Sequence, residues 1–256
     1  MATMQTFSSH SLANRAVIAL RGDGVLAFLH NILTCNVENL NQGEIAYGAL
    51  LSPQGKILHD MFVHHADQSV LIDCSKDGRD DLVAKLKLYR LRAKFEIIPR
   101  DDLEVVVGTG TSRDPRLEAL GLRGVFARGS YRAGDTYDDA RYKLGIADSS
   151  EIGSGKLFPH EANYDQFAGV DFQKGCYIGQ EVVSRMQHRG TARSRILPVI
   201  FENNQYTDEI RVGEILVGEV LGRRGKAALA LVRLDRLAEV GATPGMTITR
   251  PDWMKI

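Results

Sequence analysis

Residues 171–189 read DFQKGCYIGQEVVSRMQHR, and the rest of the chain is organised around this stretch. Gly175 and Gly179 stand on either side of Cys176, and glycines let a backbone turn tightly or come close to a neighbour. That places the thiol on a loop. Lys174 beside it would lower the thiol's pKa and raise its thiolate fraction near neutrality. A second reading stands next to this one, because a lone cysteine commonly behaves as a small buried apolar residue. After the loop comes the pair Gln180 and Glu181, then a helix-patterned segment carrying Arg185, His188 and Arg189.

Length and balance bound what this stretch can serve. The 256 residues suit one large or two modest domains. The formal net charge is zero, which gives no global electrostatic case for nucleic acid or a membrane as the main partner. The longest apolar runs, around 103–107 and 227–232, fall far short of the roughly twenty residues of a membrane-spanning helix. The start, MATMQTFSSHSLANR, lacks the basic segment and apolar core of a secretory signal, so the expected location is the cytosol. Cys35, Cys74 and Cys176 are widely spaced with no C-x-x-C. This fits reduced thiols and argues against a disulfide framework or a self-contained zinc or iron–sulfur site. A single cysteine can still join a cluster or metal shared with a partner.

Taken in order, RAVIAL (15–20) predicts a strand, and Asp23 is placed to cap a helix over Val25, Leu26, Phe28, Leu29, Ile32 and Leu33. EIAYGALLS, PQGK and ILHDMFVHHA read as strand, turn and strand of a half-buried hairpin. On the second strand Asp60 and His64 share a face with Leu58 and Phe62. An acid there is costly to bury unpartnered, so Asp60 is either hydrogen-bonded structurally or part of a site. His59, His64 and His65 cannot converge on a metal from a regular strand, since neighbours point to opposite faces. Residues 77–93 predict a helix with acids first and bases last, strands follow near 95–98, 103–107 and 124–128, and 130–139 reads as a loop. The mixture indicates an α+β or α/β arrangement. Gly153-Ser154-Gly155-Lys156 lacks the spacing and preceding strand of a phosphate loop.

In LFPHEANY (157–164), Glu161 has two readings. A positioned carboxylate accepts two parallel hydrogen bonds from an amino-imino edge such as that of a pterin; a glutamate in the first turn of a short helix is equally consistent. From Ser194 onward the short strands RILPVIF, EILVGEV, KAALALVRL and MTITR suit a compact β-barrel. Arg193 and Arg195 at the junction either meet a polyglutamyl tail or belong to a solvated linker.

Together FLHNILT, YGALLSPQGKILHDMFV, YRLRAKF, LFPHEANYDQFAGVDFQKGCYIGQEVVSRMQHR and GTARSRILPV resemble the YgfZ family of folate-binding proteins, relatives of the glycine-cleavage T protein, an aminomethyltransferase. The resemblance runs from Arg15 to about Val232 and is carried most specifically by K-G-C-Y-x-G-Q-E. It implies an α+β fold with a T-protein-like folate-binding region over 1–193, formed of two intertwined subdomains, and a small β-barrel over 194–256. It also implies tetrahydrofolate or a one-carbon derivative as cofactor, and iron–sulfur client or assembly proteins as partners. The implied role is assembly or repair of their clusters, with effects on enzymes such as tRNA-modifying ones. Tyr47 and Asp60 match the Y-x(12)-D element of the T protein, with the aspartate near the reacting nitrogen of folate; Glu161 matches the glutamate that holds the pterin. Cys176, Asp60 and Lys174 become the candidate catalytic groups, with Arg185, Gln180 and Glu181 shaping the loop and the folate site. His59, His64 and Asn36 depart from the T-protein pattern and weigh against full aminomethyl transfer. An aminomethyltransferase and a folate store or sensor remain the alternatives.

Overall fold

The computed structural model describes residues 8–190, 192–202, 207–237 and 245–255. The first seven residues, on which part of the signal reading rests, and the side chain of Arg189 lie outside the described set.

A five-stranded antiparallel sheet forms the scaffold. After β1 (His10–Ser11) come β2 (Arg15–Arg21), β3 (Ile45–Leu51), β4 (Ile57–Ala66), β5 (Ser69–Ser75) and β6 (Glu96–Arg100), arranged β3-β4-β5-β2-β6. The hairpin reading of β3 and β4 holds, but β4 lies inside the sheet and is buried on both faces instead of one. Met61 and Val63 face a core made with Leu29 and Leu33 of helix α1 (Val25–Ile32) and its exit, and with Leu82 and Leu86 of α2 (Arg79–Arg90). Phe62 faces a second core with Tyr47, Tyr164, Val183, Ile196 and Leu229. A register shift pairs Leu50 with His59 but Leu51 with Ile57. The extra residue inverts side-chain parity, so Ile57 and not Leu58 joins Phe62 in that core.

Two helix boundaries differ from expectation. Gly24, at φ 78°, holds the cap position of α1 without any side-chain cap, which leaves Asp23 one residue too early. Helix α2 is shorter than 77–93, because Leu91 turns left-handed at φ 51°.

A second sheet joins β1, β7 (Leu103–Arg113) and β8 (Leu122–Ala127) in the order β1-β7-β8. Helix α3 (Thr136–Leu144) begins inside the stretch expected to be loop. Its buried face is Tyr137, Ala140, Arg141 and Tyr142. Arg141 is buried because Glu151 on α4 (Ser149–Ile152) takes its guanidinium at 2.7 Å, so the face shows no apolar period to read.

Helix α5 (Gln180–Arg189) leads into β9 (Ser194–Phe201), β10 (Glu209–Val212), β11 (Ile215–Arg224), β12 (Ala227–Arg233) and β13 (Met246–Ile248), in sheet order β10-β11-β12-β9-β13. This is the carboxy-terminal β-barrel, with Leu197, Val199, Val217, Ala230 and Val232 inside. Ile196 and Leu229 point the other way into the core beneath Phe62, joining barrel and scaffold. Among the described residues no helix is long and apolar enough to cross a membrane.

Candidate functional site

Cys176 is exposed, whereas Cys35 and Cys74 are buried. Burial pushes both inner thiols up to about 12, against the opposing pull of Lys174 on Cys35 and of Arg15 on Cys74. Only the thiolate attacks or ligates, so the displayed sulfur is the chemically available one.

Lys174 does not serve that thiol in the way its place in the sequence suggests. Its ammonium donates to the carbonyls of His30, Leu33 (2.7 Å) and Cys35 (2.8 Å). These lie at the end of α1, where a helix leaves carbonyls without partners and its dipole favours a cation. Burial lowers the lysine's pKa, opposed by Cys35, Asp171 and Glu38. Lys174 is a buried cation whose side-chain hydrogen bonds go to main-chain carbonyls. Around it, Thr34 Oγ1 donates to Gly169 O at 2.6 Å, Asp171 N to Thr34 O at 2.9 Å, and Asn36 Nδ2 to Asp171 Oδ2 at 3.1 Å.

On α5, Glu181 and Arg185 face outward, while Val183 enters the core with Phe62. Gln180 opens the helix after Gly179 at φ 80°, and Glu181 pairs with Arg185 one turn later, both on the exposed side. Such a surface pair contributes about 0.3–0.5 kcal/mol. Arg185, Glu181 and Gln180 line none of the cavities formed by Asp60 or the inner sheet. Arg195 is buried: it grips Asp165 through both terminal nitrogens at 2.8 Å and donates to His160 O and Asn163 Oδ1. Neither the polyglutamate reading nor the solvated-linker reading of Arg195 survives, since its donors are taken by the protein; Arg193 is exposed.

Tyr47 and Asp60 come together, as neighbours on β3 and β4 predict. Tyr47 is 2% exposed and its hydroxyl donates to Tyr164 at 2.8 Å; burial and the nearby Asp60 charge raise its pKa. Asp60 is 3% exposed. Its Oδ1 accepts from Ser149 at 2.5 Å, Oδ2 has no hydrogen-bond partner, and the Arg15 guanidinium stands 3.9 Å away. Burial raises the Asp60 pKa, Arg15 opposes it and Asp148 adds to it. Glu161 is elsewhere, half-buried, with Oε2 accepting from Phe158 N at 2.9 Å. That bond belongs to a run of turns over 159–168, where the first-turn reading of Glu161 expected a short helix.

An ion network beneath Asp60 was not legible in the sequence. Arg15 donates to Asp73 and Asp148, each at 2.7 Å, and to Ser149 at 3.0 Å. Arg123 donates to the other oxygen of Asp73 at 2.7 Å. Arg116 chelates Asp114 at 3.0 and 2.8 Å. The guanidinium of Arg123 lies 3.9 Å from the Phe62 ring centre, and that of Arg116 covers Phe62 at 4.7 Å and Tyr47 at 5.1 Å. Cations this close to rings fill the space over them.

These positions test the fit of tetrahydrofolate. Asp60 borders a cavity of about 250 Å³ with His59, Ser75, Asp77, Ser149 and Ser154, and neither Tyr47 nor Glu161 lines it. Pockets for drug-sized ligands run to about 300–1,000 Å³. Arginines cover the Tyr47 and Phe62 ring faces. The histidines also stay apart: His59 pairs with Asp81 at 2.7 Å, His65 with Leu40 O at 2.6 Å, and among the described residues no three ligating side chains cluster for a metal.

Comparison with known proteins adds three findings. Residues 193–256 match the family model of the CAF17 C-terminal β-barrel domain. Over 230 residues the chain is 33% identical to the iron–sulfur cluster assembly factor IBA57 homolog, mitochondrial, of Neurospora crassa, covering 74% of this chain and 52% of that one. It is 27% identical over 298 residues to the human iron–sulfur cluster assembly factor IBA57, mitochondrial, covering 94% and 84%. The chain spans about half the length of the first fungal relatives it matches. The crystal structure of glycine cleavage system aminomethyltransferase T from Bartonella henselae superposes with TM-score 0.68 over 89% of this chain and 78% of that one, at 14% identity; that likeness concerns the fold. The expected cytosolic location is overturned, because the relatives in fungi, human and mouse are named mitochondrial. A secretory signal and an import leader differ in composition, so lacking the one does not bear on the other.

Proposed function

We propose, for a chain related in sequence to the CAF17/IBA57 iron–sulfur assembly factors and folded like aminomethyltransferase T, that it is an accessory protein in the assembly or repair of iron–sulfur clusters and meets them through Cys176. The observation that carries this is the contrast between one exposed thiol and two buried ones. Clusters are held by several thiolates. Among the described residues no three ligating side chains cluster, so Cys176 gives its bond to a cluster whose remaining ligands belong to a client or assembly partner. Within this group we read the chain as YgfZ-type, on K-G-C-Y-x-G-Q-E at 174–181, with a 1–193 region and a 194–256 barrel as its units. An effect on tRNA-modifying enzymes would follow only through such clients. No step is assigned to folate.

The test is rescue of iron–sulfur enzyme activity in a strain lacking this chain. Cys176→Ser is expected to abolish rescue at normal protein level, and full rescue overturns the proposal. One observation favours a second reading, aminomethyl transfer: the unpartnered Asp60 oxygen at a cavity. Robust methylene-tetrahydrofolate formation from an aminomethyl-loaded carrier protein would establish it in place of the accessory role.

A further inference from the structure

Two segments far apart in sequence are fastened side by side beneath the displayed thiol. On one side lies the end of α1 and its exit, His30 to Asn36; on the other, Gly169 to Lys174. Thr34 binds the second segment twice, by its hydroxyl to Gly169 O at 2.6 Å and by its carbonyl to Asp171 N at 2.9 Å. Asn36 binds the Asp171 carboxylate at 3.1 Å, and the same carboxylate accepts the main-chain N–H groups of Gln173 (2.8 Å) and Lys174 (3.2 Å). Lys174 closes the array with all three ammonium protons on the carbonyls of His30, Leu33 and Cys35. Beyond this point the chain comes out: Lys174 is buried, and Gly175 and Cys176 are exposed. Tyr177 is buried again, with the Lys174 ammonium 5.2 Å from its ring centre.

The two-residue exposed bend is thus pinned on both sides by one side chain. An ammonium presents three donors around a tetrahedral nitrogen, which suits three carbonyls converging from a helix end. A guanidinium is a flat fork and does not match that arrangement. The charge is saturated by the helix end, where a cation is favoured, and is directed at α1 and not at the sulfur.

We infer that Lys174 is a positioning residue: it ties the Cys176 loop to the carboxy-terminal end of α1, so that the thiol is held ready at a fixed place while the ammonium's donors are spent on main-chain carbonyls. The inference rests on the proposed role of Cys176, and it converts the lysine of the K-G-C motif from a chemical participant to a mechanical one. A thiol that must enter a coordination sphere completed by another protein gains from this, because ordering a loop on binding opposes association.

Lys174→Met and Lys174→Arg in the full chain test it, with wild type and Cys176→Ser as controls. The readouts are the iodoacetamide alkylation rate of the native protein as a function of pH, hydrogen exchange across 171–177, and rescue in the deletion strain. Cys35 and Cys74 are buried, so alkylation reports Cys176. Both variants are expected to exchange at least tenfold faster across 171–177 with the β2–β5 sheet unchanged, to keep the wild-type midpoint of the alkylation profile, and to lose rescue. Lys174→Arg keeps the charge and a hydrogen-bonding side chain, so it separates the two ideas if Lys174→Met fails to fold. A thiol activated by charge predicts that Lys174→Arg behaves as wild type and that Lys174→Met moves the midpoint upward; either result overturns the inference. Unchanged exchange in both variants also overturns it. If Cys176→Ser rescues fully, the functional proposal fails, and exchange and the alkylation profile still decide the role of Lys174.

Discussion

The Arg123 guanidinium lies 3.9 Å from the ring centre of Phe62 while its Nε donates to Asp73 at 2.7 Å, so a strand that reads as an apolar hairpin arm carries an ion network on its back. Asp73 answers two arginines, Arg15 and Arg123, from a fully buried position. Burial alone would raise its pKa, but Arg123 and Arg15 outweigh it and hold the carboxyl well below the usual range.

Asp73→Asn therefore leaves two buried guanidiniums without their shared counter-charge. The expected loss is about 3–5 kcal/mol, the usual cost of removing one partner of a buried pair, read from urea unfolding. Because the folded-state pKa is depressed, the wild-type contribution is present above the ordinary carboxylate pKa and is lost as pH falls through the folded value. The gap between wild type and variant should narrow on acidification.

Asp60 has the opposite sign. Burial raises its pKa, so its contribution to stability is full below the ordinary carboxylate pKa and is lost as pH rises through the raised value. Asp60→Asn removes that dependence, and its melting temperature relative to wild type should climb as pH rises above the ordinary carboxylate range. Parallel melting curves at all pH values would count against an unrelieved buried charge at Asp60.

Glu161→Ala removes the acceptor for Phe158 N–H. The expected cost is about 1 kcal/mol of stability. Calorimetric titration with tetrahydrofolate should give the same heat for wild type and variant, since Glu161 and Asp60 do not share a cavity; a lost signal in the variant alone would restore Glu161 as a ligand-binding residue.

Gly48 on β3 lies against Cys35. A β-carbon there would stand 2.4 Å from the Cys35 sulfur and 2.9 Å from its Cβ. Gly48→Ala should cost about 1–3 kcal/mol by overpacking. Cys35→Ala deletes the nearer clash and leaves the other, so the double variant should recover part of the loss, seen as a coupling energy in denaturant unfolding.

What the sequence by itself determined was local. The strands of the scaffold, α1, the β3–β4 turn and the barrel strands follow from apolar period and turn residues over a few positions, whereas the glycines around Cys176 left a displayed and a buried thiol both open. Helix α3 escaped because its inward face includes Arg141, whose partner Glu151 is brought up by the fold. Tertiary structure alone decided the rest. The burial of Asp73, Arg15, Arg123, Arg116 and Lys174 is set by distant segments that supply counter-ions or carbonyls. The energy that makes a buried charge acceptable belongs to the pair and not to either residue. For the same reason Lys174, two residues from Cys176 in the chain, spends its charge on α1.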